Sequence, residues 1–238
     1  MPLFFRFKQF TVHQGHAAMK VSTDGCILGA WTAGLISRNP GVKRILDIGT
    51  GTGLLSLMLA QQCLAGIVGV ELDPAACRDA TRNFHISPWK DRLKVLEGDG
   101  RFLPAALAYD FIITNPPFHS RSLKSRDTNR NLARHDTGLD LPALIKIIHG
   151  NLVPGGACSV MLPPEPMERF IGMARGNNLF PSRLLSVYPR DGKPCSRIAG
   201  MFSKERGSLQ RVSLTVQIKP GLFSPEFLEL MTPYYLPH

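Results

Sequence analysis

Apolar residues recur at helical spacing over residues 25–37, and Asn39-Pro40-Gly41 stops them. Thr23 and Asp24 stand just ahead as good helix N-caps. The first 20 residues mix aromatic and basic side chains with no clear period. A short apolar run at 44–48 leads through Asp47-Ile48-Gly49-Thr50-Gly51-Thr52-Gly53 into a helical stretch at 54–63, so strand, glycine loop and helix come in that order. A second strand is predicted at 67–72, and Pro74 opens a helix running to about residue 84. Strands at 92–96 and 110–114 come next, the latter ending at Asn115-Pro116-Pro117-Phe118. Residues 119–135 are polar, basic and non-periodic. Beyond them lie a helix at 139–149, a strand at 157–162 and a helix at 165–175. Residues 183–188, 198–203 and 212–218 are β-type, and the spacing of the last two predicts an antiparallel hairpin. Residues 224–235 close as a capped helix.

Strands alternating with helices predict βαβ units and a largely parallel sheet, an α/β fold with helices on both faces. There is no internal repeat, no low-complexity segment and no domain boundary, so residues 1–238 read as a single domain. The segment 119–135 reads as a long functional loop within it.

Composition adds the partner class. Of 238 residues, 44% are hydrophobic and 19% charged, which excludes a disordered chain. The formal net charge of +10 favours a polyanionic partner, of which nucleic acid is the commonest. Five cysteines, with no CxxC pair among them, indicate free thiols in a reducing compartment and no metal site. No apolar run approaches the ~18 residues of a membrane span. Arg6 and Lys8 interrupt the stretch a signal peptide would need. The location expected is cytoplasmic.

The chemistry concentrates at the ends of the predicted strands. Gly49, Gly51 and Gly53 let the backbone approach a ligand at the start of a helix, and Asp47 precedes them. A nicotinamide fingerprint would need its third glycine at position 54, which is Leu54. The GxGxG form after an acid resembles the first motif of S-adenosylmethionine (SAM) methyltransferases. Glu71 ends the second strand, where a carboxylate can accept both hydrogen bonds of a ribose diol; Asp73 is the rival for that role. Asp99 comes after the third strand, placed to meet an adenine amino group. At Asn115-Pro116-Pro117-Phe118 the prolines remove N–H donors, leaving the Asn115 side-chain oxygen and the Pro116 carbonyl as acceptors for an exocyclic amine. Phe118 offers a face for a base to stack on. Direct displacement at a sulfonium methyl needs no strong base, so no catalytic histidine is assigned to His13, His16, His119 or His135.

DIGTGTG, VELD and NPPF together resemble class I SAM-dependent N-methyltransferases. The opening FRFKQFTVHQGHAAMKVSTDGCILGAW and the ending SPEFLELMTPYYL narrow this to the bacterial tRNA1(Val) adenine-N6 methyltransferases, a resemblance spanning almost the whole chain. It implies a Rossmann-like, mostly parallel seven-stranded sheet with an antiparallel C-terminal hairpin. It implies SAM as cofactor, S-adenosylhomocysteine as product and adenine 37 of a valine tRNA as target, with no obligate protein partner. Carried over by position, Lys20, Thr23 and Asp24 match the motif against the methionine part of SAM. Asp47, Gly49, Gly51 and Gly53 match the cofactor loop, Glu71 the ribose binder, Asp99 the residue near the SAM adenine, and Asn115, Pro116 and Phe118 the catalytic loop. The family's KVGTDG reads KVSTDG here and its NPPY reads NPPF.

Arg121, Lys124, Arg126, Arg130 and Arg134, directly after the catalytic loop, are expected to grip RNA, with Arg183, Arg190, Lys193 and Arg197 as the alternative surface. Three other functions stay open. NPPF also occurs in guanine-N2 methyltransferases of ribosomal RNA. An NPPY-type loop serves glutamine-N5 methylation of release factors, whose enzymes carry an extra helical N-terminal domain. A catalytically idle RNA-binding module could keep the fold, although an intact Asn115 and glycine loop argue against that.

Overall fold

The computed structural model describes residues 2–37, 39–103, 108–117 and 140–236. Strands β1 (Phe4–Arg6) and β2 (Thr11–His13) pair antiparallel as a small separate hairpin. Strands of three residues are too short to show an alternation, which is why this stretch looks aperiodic. Helix α1 (Thr23–Ile36) is capped by Ser22, whose hydroxyl accepts from the Gly25 N–H at 3.1 Å. Thr23 and Asp24, expected as caps, therefore fall inside the first turn, where the Asp24 carboxylate still meets the positive end of the helix.

The main sheet is built from β3 (Arg44–Ile48), β4 (Gly66–Glu71), β5 (Leu93–Glu97), β6 (Tyr109–Thr114), β7 (Leu152–Leu162), β8 (Phe180–Arg190), β9 (Arg197–Ser203), β10 (Gln210–Lys219) and β11 (Leu222–Phe223). Its order is β11-β10-β8-β9-β7-β6-β3-β4-β5. Between them run α2 (Leu54–Gln62), α3 (Pro74–His85), α4 (Leu141–Asn151), α5 (Pro164–Gly176) and α6 (Pro225–Met231).

Strands β3 to β8 form the expected mostly parallel seven-stranded core, with β9 antiparallel between β7 and β8. Two further strands extend it, so the main sheet has nine strands among the described residues. The hairpin predicted between residues 198–203 and 212–218 is not made. β9 pairs antiparallel with β8 across the turn 191–196, and β10 passes over β9 to join β8 in parallel. The inner place beside β7 was filled by β9, so β10 had only the open edge of β8 left. An antiparallel C-terminal hairpin does exist one step later, between β10 and the two-residue β11.

Alternation along β3 divides the core. Ile45 points into a layer with α1, α2 and α6, while Leu46 and Ile48 point into a second layer with α4 and α5. Asp47 shares the Ile45 side and is fully buried. The five cysteines are free thiols, three of them buried. Among the described residues no helix is long and apolar enough to cross a membrane, and no group of His, Cys, Asp and Glu could hold a metal.

Candidate active site

The parallel strands all deliver their carboxyl ends to one edge of the molecule, and the sheet register aligns the residues just beyond those ends. Ile48 lies opposite both Thr114 of β6 and Val70 of β4. Asn115, Gly49 and Glu71, each the next residue, therefore stand in a row across three neighbouring strands, spaced by about 4.8 Å per strand. Glu71 in turn faces Glu97 of β5, two residues before Asp99. This is the crevice in which open α/β sheets bind ligands.

The loop between β3 and α2 turns on glycines. Gly49, Gly51 and Gly53 all have positive φ, at 70°, 58° and 82°. A Cβ at Gly49 or Gly51 would meet nothing within 4 Å, so their outer side is open to a ligand. At Gly53 a Cβ would lie 2.4 Å from Phe84 Cε1, so glycine there also admits α3. The first-turn residue Gly25 of α1 faces Leu54, the residue after Gly53, so the N-terminus of α1 lies against that of α2.

Asp47 lies beneath. Its Oδ2 accepts from the hydroxyls of Thr50 and Ser56, both at 2.7 Å, while Oδ1 has no partner among the described residues. Burial pushes its carboxyl up to about 6, against the pull of the two hydroxyls, and the nearby Glu71 charge adds to the rise.

Glu71 bridges the loop to α3. Its Oε2 accepts from the Gly51 N–H at 2.8 Å and its Oε1 from the Asp73 N–H at 2.9 Å. Asp73, the rival for the ribose role, is the N-cap of α3, accepting from the Ala75 N–H at 2.9 Å. Asp99 accepts from the Arg101 backbone N–H and is gripped by the Arg101 guanidinium at 2.8 and 2.5 Å, which holds its carboxyl below the usual range. Asn115 is half-buried at the end of β6 and Pro116 is buried. Phe118 and the basic residues Arg121, Lys124, Arg126, Arg130 and Arg134 lie outside the described residues.

Of the remaining cofactor candidates, Thr23 and Asp24 open α1 and Lys20 sits on the strap that precedes it, whose anchoring the sequence did not show. Asp79 of α3, itself buried, accepts from the backbone N–H groups of His16 and Ala17 at 2.9 and 2.8 Å and holds the His16 Nδ1 at 2.8 Å. Burial pushes the Asp79 carboxyl up, and these hydrogen bonds outweigh it, leaving it below its ordinary value. Asn83, one turn on, exchanges hydrogen bonds with the His13 backbone and donates to the Thr52 carbonyl of the glycine loop. Residues 13–17 are thus tied to α3 beside that loop. Lys20 gives its ammonium to the carbonyls of Gln14 and Ala17, closing the strap on itself. Asp24 pairs with Arg197 Nε at 2.9 Å. The available signal was that Asp79 and Asn83 interrupt the otherwise apolar buried face of α3 at helical spacing.

Comparison with known proteins places this geometry. The methyltransferase small domain family matches residues 33–137. A tRNA1(Val) (adenine(37)-N6)-methyltransferase of Bacteroides fragilis is 39% identical over 98% of this chain and 98% of its own length. One from Tolumonas auensis is 38% identical over 98% and 96%, and one from Yersinia pestis 36% over 98% and 93%. Among solved structures, one described as a predicted O-methyltransferase from Agrobacterium tumefaciens superposes with a TM-score of 0.65 at 20% identity, over 89% of this chain and 96% of its own. Pyrococcus horikoshii TYW2 in complex with MeSAdo gives a TM-score of 0.57 at 17% identity, over 85% and 71%. These two establish the shared fold, and the curated relatives, matched end to end, establish more: the chain belongs to the tRNA1(Val) (adenine(37)-N6)-methyltransferase family.

Proposed function

We propose that this chain, acting as one methyltransferase domain in the cytoplasm, moves the methyl group of SAM to the exocyclic N6 amine of adenine 37 in the anticodon loop of a valine tRNA. The observation that carries this reading is the register that sets Asn115 beside Gly49, one strand from the glycine loop. Family membership supplies the class of reaction.

The residues fit SAM on their own chemistry. The buried Asp47 Oδ1 is an acceptor without a partner among the described residues, suited to a cationic ligand group. The space outside Gly49 and Gly51 is open where a side chain would intrude. Each Glu71 oxygen accepts one backbone N–H and retains a lone pair for a ribose hydroxyl. Bound there, the cofactor supplies an electrophilic methyl on a sulfonium, so the chain needs no strong base.

The chain's own task is to hold the amine. An adenine amine is a poor nucleophile because its lone pair is delocalised into the ring. The Asn115 side-chain oxygen and the Pro116 carbonyl, accepting its two hydrogens, favour a pyramidal nitrogen whose lone pair is free to attack. Pro116 and Pro117 have no N–H to compete as donors. In this reading Phe118 stacks on the flipped base, and Asp99 lies toward the SAM adenine. Lys20, Thr23 and Asp24 belong at the methionine end, where Lys20 acts by shaping the strap. An anticodon-loop base is already partly unstacked, so flipping it costs a few kcal/mol at most.

The test is methyl transfer from labelled SAM to tRNA, ribosomal RNA and release factor, with nucleoside analysis of the product. N6-methyladenosine at position 37 of a valine tRNA is expected. Label in N2-methylguanosine or in glutamine would replace this reading with one of its rivals, and no transfer to any substrate would leave an RNA-binding module.

A further inference from the structure

The antiparallel half of the sheet does not stop level with the active site. Across the sheet, Thr114 lies opposite Val160, Val160 opposite Gly200, and Gly200 opposite Leu184. β8 then continues for six more residues to Arg190, paired with β10 as far as Gln217. At about 3.3 Å per residue this is a flange roughly 20 Å tall, standing three strands, about 14 Å, to the side of Asn115. Its crest is secured by the Asp191 N–H donating to the Gln217 carbonyl at 3.0 Å and by the Lys193 N–H donating to the Arg190 carbonyl at 3.1 Å.

That crest is cationic. Arg190 ends β8, Lys193 is exposed in the turn, and exposed Lys219 ends β10. Asp191 is the acid in the turn, and its carboxylate accepts from the Gly192 N–H at 3.0 Å. Arg197, opposite Val187 about halfway up the flange, is engaged by Asp24 and does not belong to the crest. Arg183 lies about 23 Å from Arg190 at the opposite end of β8, so the basic residues 183, 190, 193 and 197 do not form one surface.

We propose that the crest formed by Arg190, Lys193 and Lys219 is a phosphate-binding surface that holds the helical arm of the RNA whose target base enters at Asn115. The proposal rests on the tRNA reading above and adds where the arm lies. A height of about 20 Å matches about seven base pairs of an A-form stem at ~2.8 Å each, so a stem leaving the site would run along the flange. Such contacts carry no sequence information; they set orientation and release counterions.

The test measures full-length tRNA binding to the SAM-loaded protein as a function of salt. The Arg190→Ala/Lys193→Ala/Lys219→Ala variant should bind about tenfold or more weakly near 0.1 M salt, with the slope of log affinity on log salt reduced by about two to three. The Arg183→Ala/Arg211→Ala variant changes charge at the far end of the same strands and should bind as wild type does. Calorimetric SAM binding should be unchanged in both, which establishes that they are folded; Lys193→Glu in the exposed turn serves as a second, single-site probe. Losses in proportion to the charge removed, three in the crest variant and two in the other, would mean that net charge alone attracts RNA, and unchanged binding in the crest variants would place the arm elsewhere; either overturns the proposal, as would a wild-type protein that binds no tRNA. Failure of the substrate reading shows up separately, as tRNA binding without methyl transfer.

Discussion

Replacing Asp47 with asparagine removes a charge held in a fully buried site while keeping the side chain's shape. In the free protein the carboxyl rises from 3.8 to about 6, chiefly through burial. At about 1.4 kcal/mol per pH unit, ionising it in the folded state rather than the unfolded one costs ~3 kcal/mol. Because the folded value is raised, this group's contribution to stability is complete below pH 4 and is lost as pH climbs through 6. About 2 of those 3 kcal/mol fall between pH 4.5 and pH 8. The asparagine oxygen can keep the hydroxyls of Thr50 and Ser56, but its amide group takes the place of Oδ1 and costs about 1–3 kcal/mol if left unpaired. That penalty does not depend on pH. Denaturant unfolding of both proteins from pH 4.5 to 8 should therefore show the stability difference moving by ~2 kcal/mol in the variant's favour. SAM affinity should move the other way. Losing a charge-assisted acceptor costs about 1.5–3 kcal/mol, or ten- to hundredfold in Kd at pH 8. Wild-type affinity should strengthen from pH 5 to 7, and the variant's should stay flat. A stability difference constant with pH, or an unchanged Kd, would refute the assignment of Asp47 as a buried charge awaiting the cofactor.

Two further perturbations test the loop above it. Glu71→Ala removes the acceptor of two backbone N–H groups along with the proposed ribose contact, and calorimetry should show SAM binding weakened about ten- to hundredfold with the fold intact; unchanged affinity would shift the ribose role to Asp73. Gly53→Ala combines a left-handed φ with a Cβ 2.4 Å from the buried Phe84 ring, and should lose ~2–4 kcal/mol in denaturant unfolding; a loss under ~1 kcal/mol would mean that α3 yields more readily than the contact implies.

The parallel half of the fold was legible because each strand there is a short, largely apolar run closed by a chemically distinctive loop. Asp47 to Gly53, Glu71, Asp99 and Asn115-Pro116 were readable as separate motifs, and the register brings Asn115, Gly49 and Glu71 to one row with Asp99 just beyond it. The features that sequence spacing hid were non-local. β10 joins β8 and not its chain neighbour β9, because adjacency in a sheet is decided by which edge remains open. The strap at residues 13–20 is ordered by Asp79 and Asn83, more than 60 positions away, so nothing within the strap announced it and the signal lay only in those two polar residues on the buried face of α3. His16, given no catalytic role from the sequence, is largely exposed, yet its Nδ1 is tied to Asp79. Lys20 and Asp24 were legible as motif residues, whereas their partners, Gln14, Ala17 and Arg197, emerge only in three dimensions.

The central claim is that Asn115 holds the target amine while SAM binds on other loops. Single-turnover methylation of a valine tRNA by Asn115→Ala tests it most directly. Removing one of two acceptors leaves an amine hydrogen unpaired in a desolvated site, a loss of ~3 kcal/mol or more in the transition state. That corresponds to at least a hundredfold in the chemical step, with SAM affinity held within a few fold. A variant that methylates adenine 37 at near the wild-type rate would contradict the account, since the amine would then be activated by some other group.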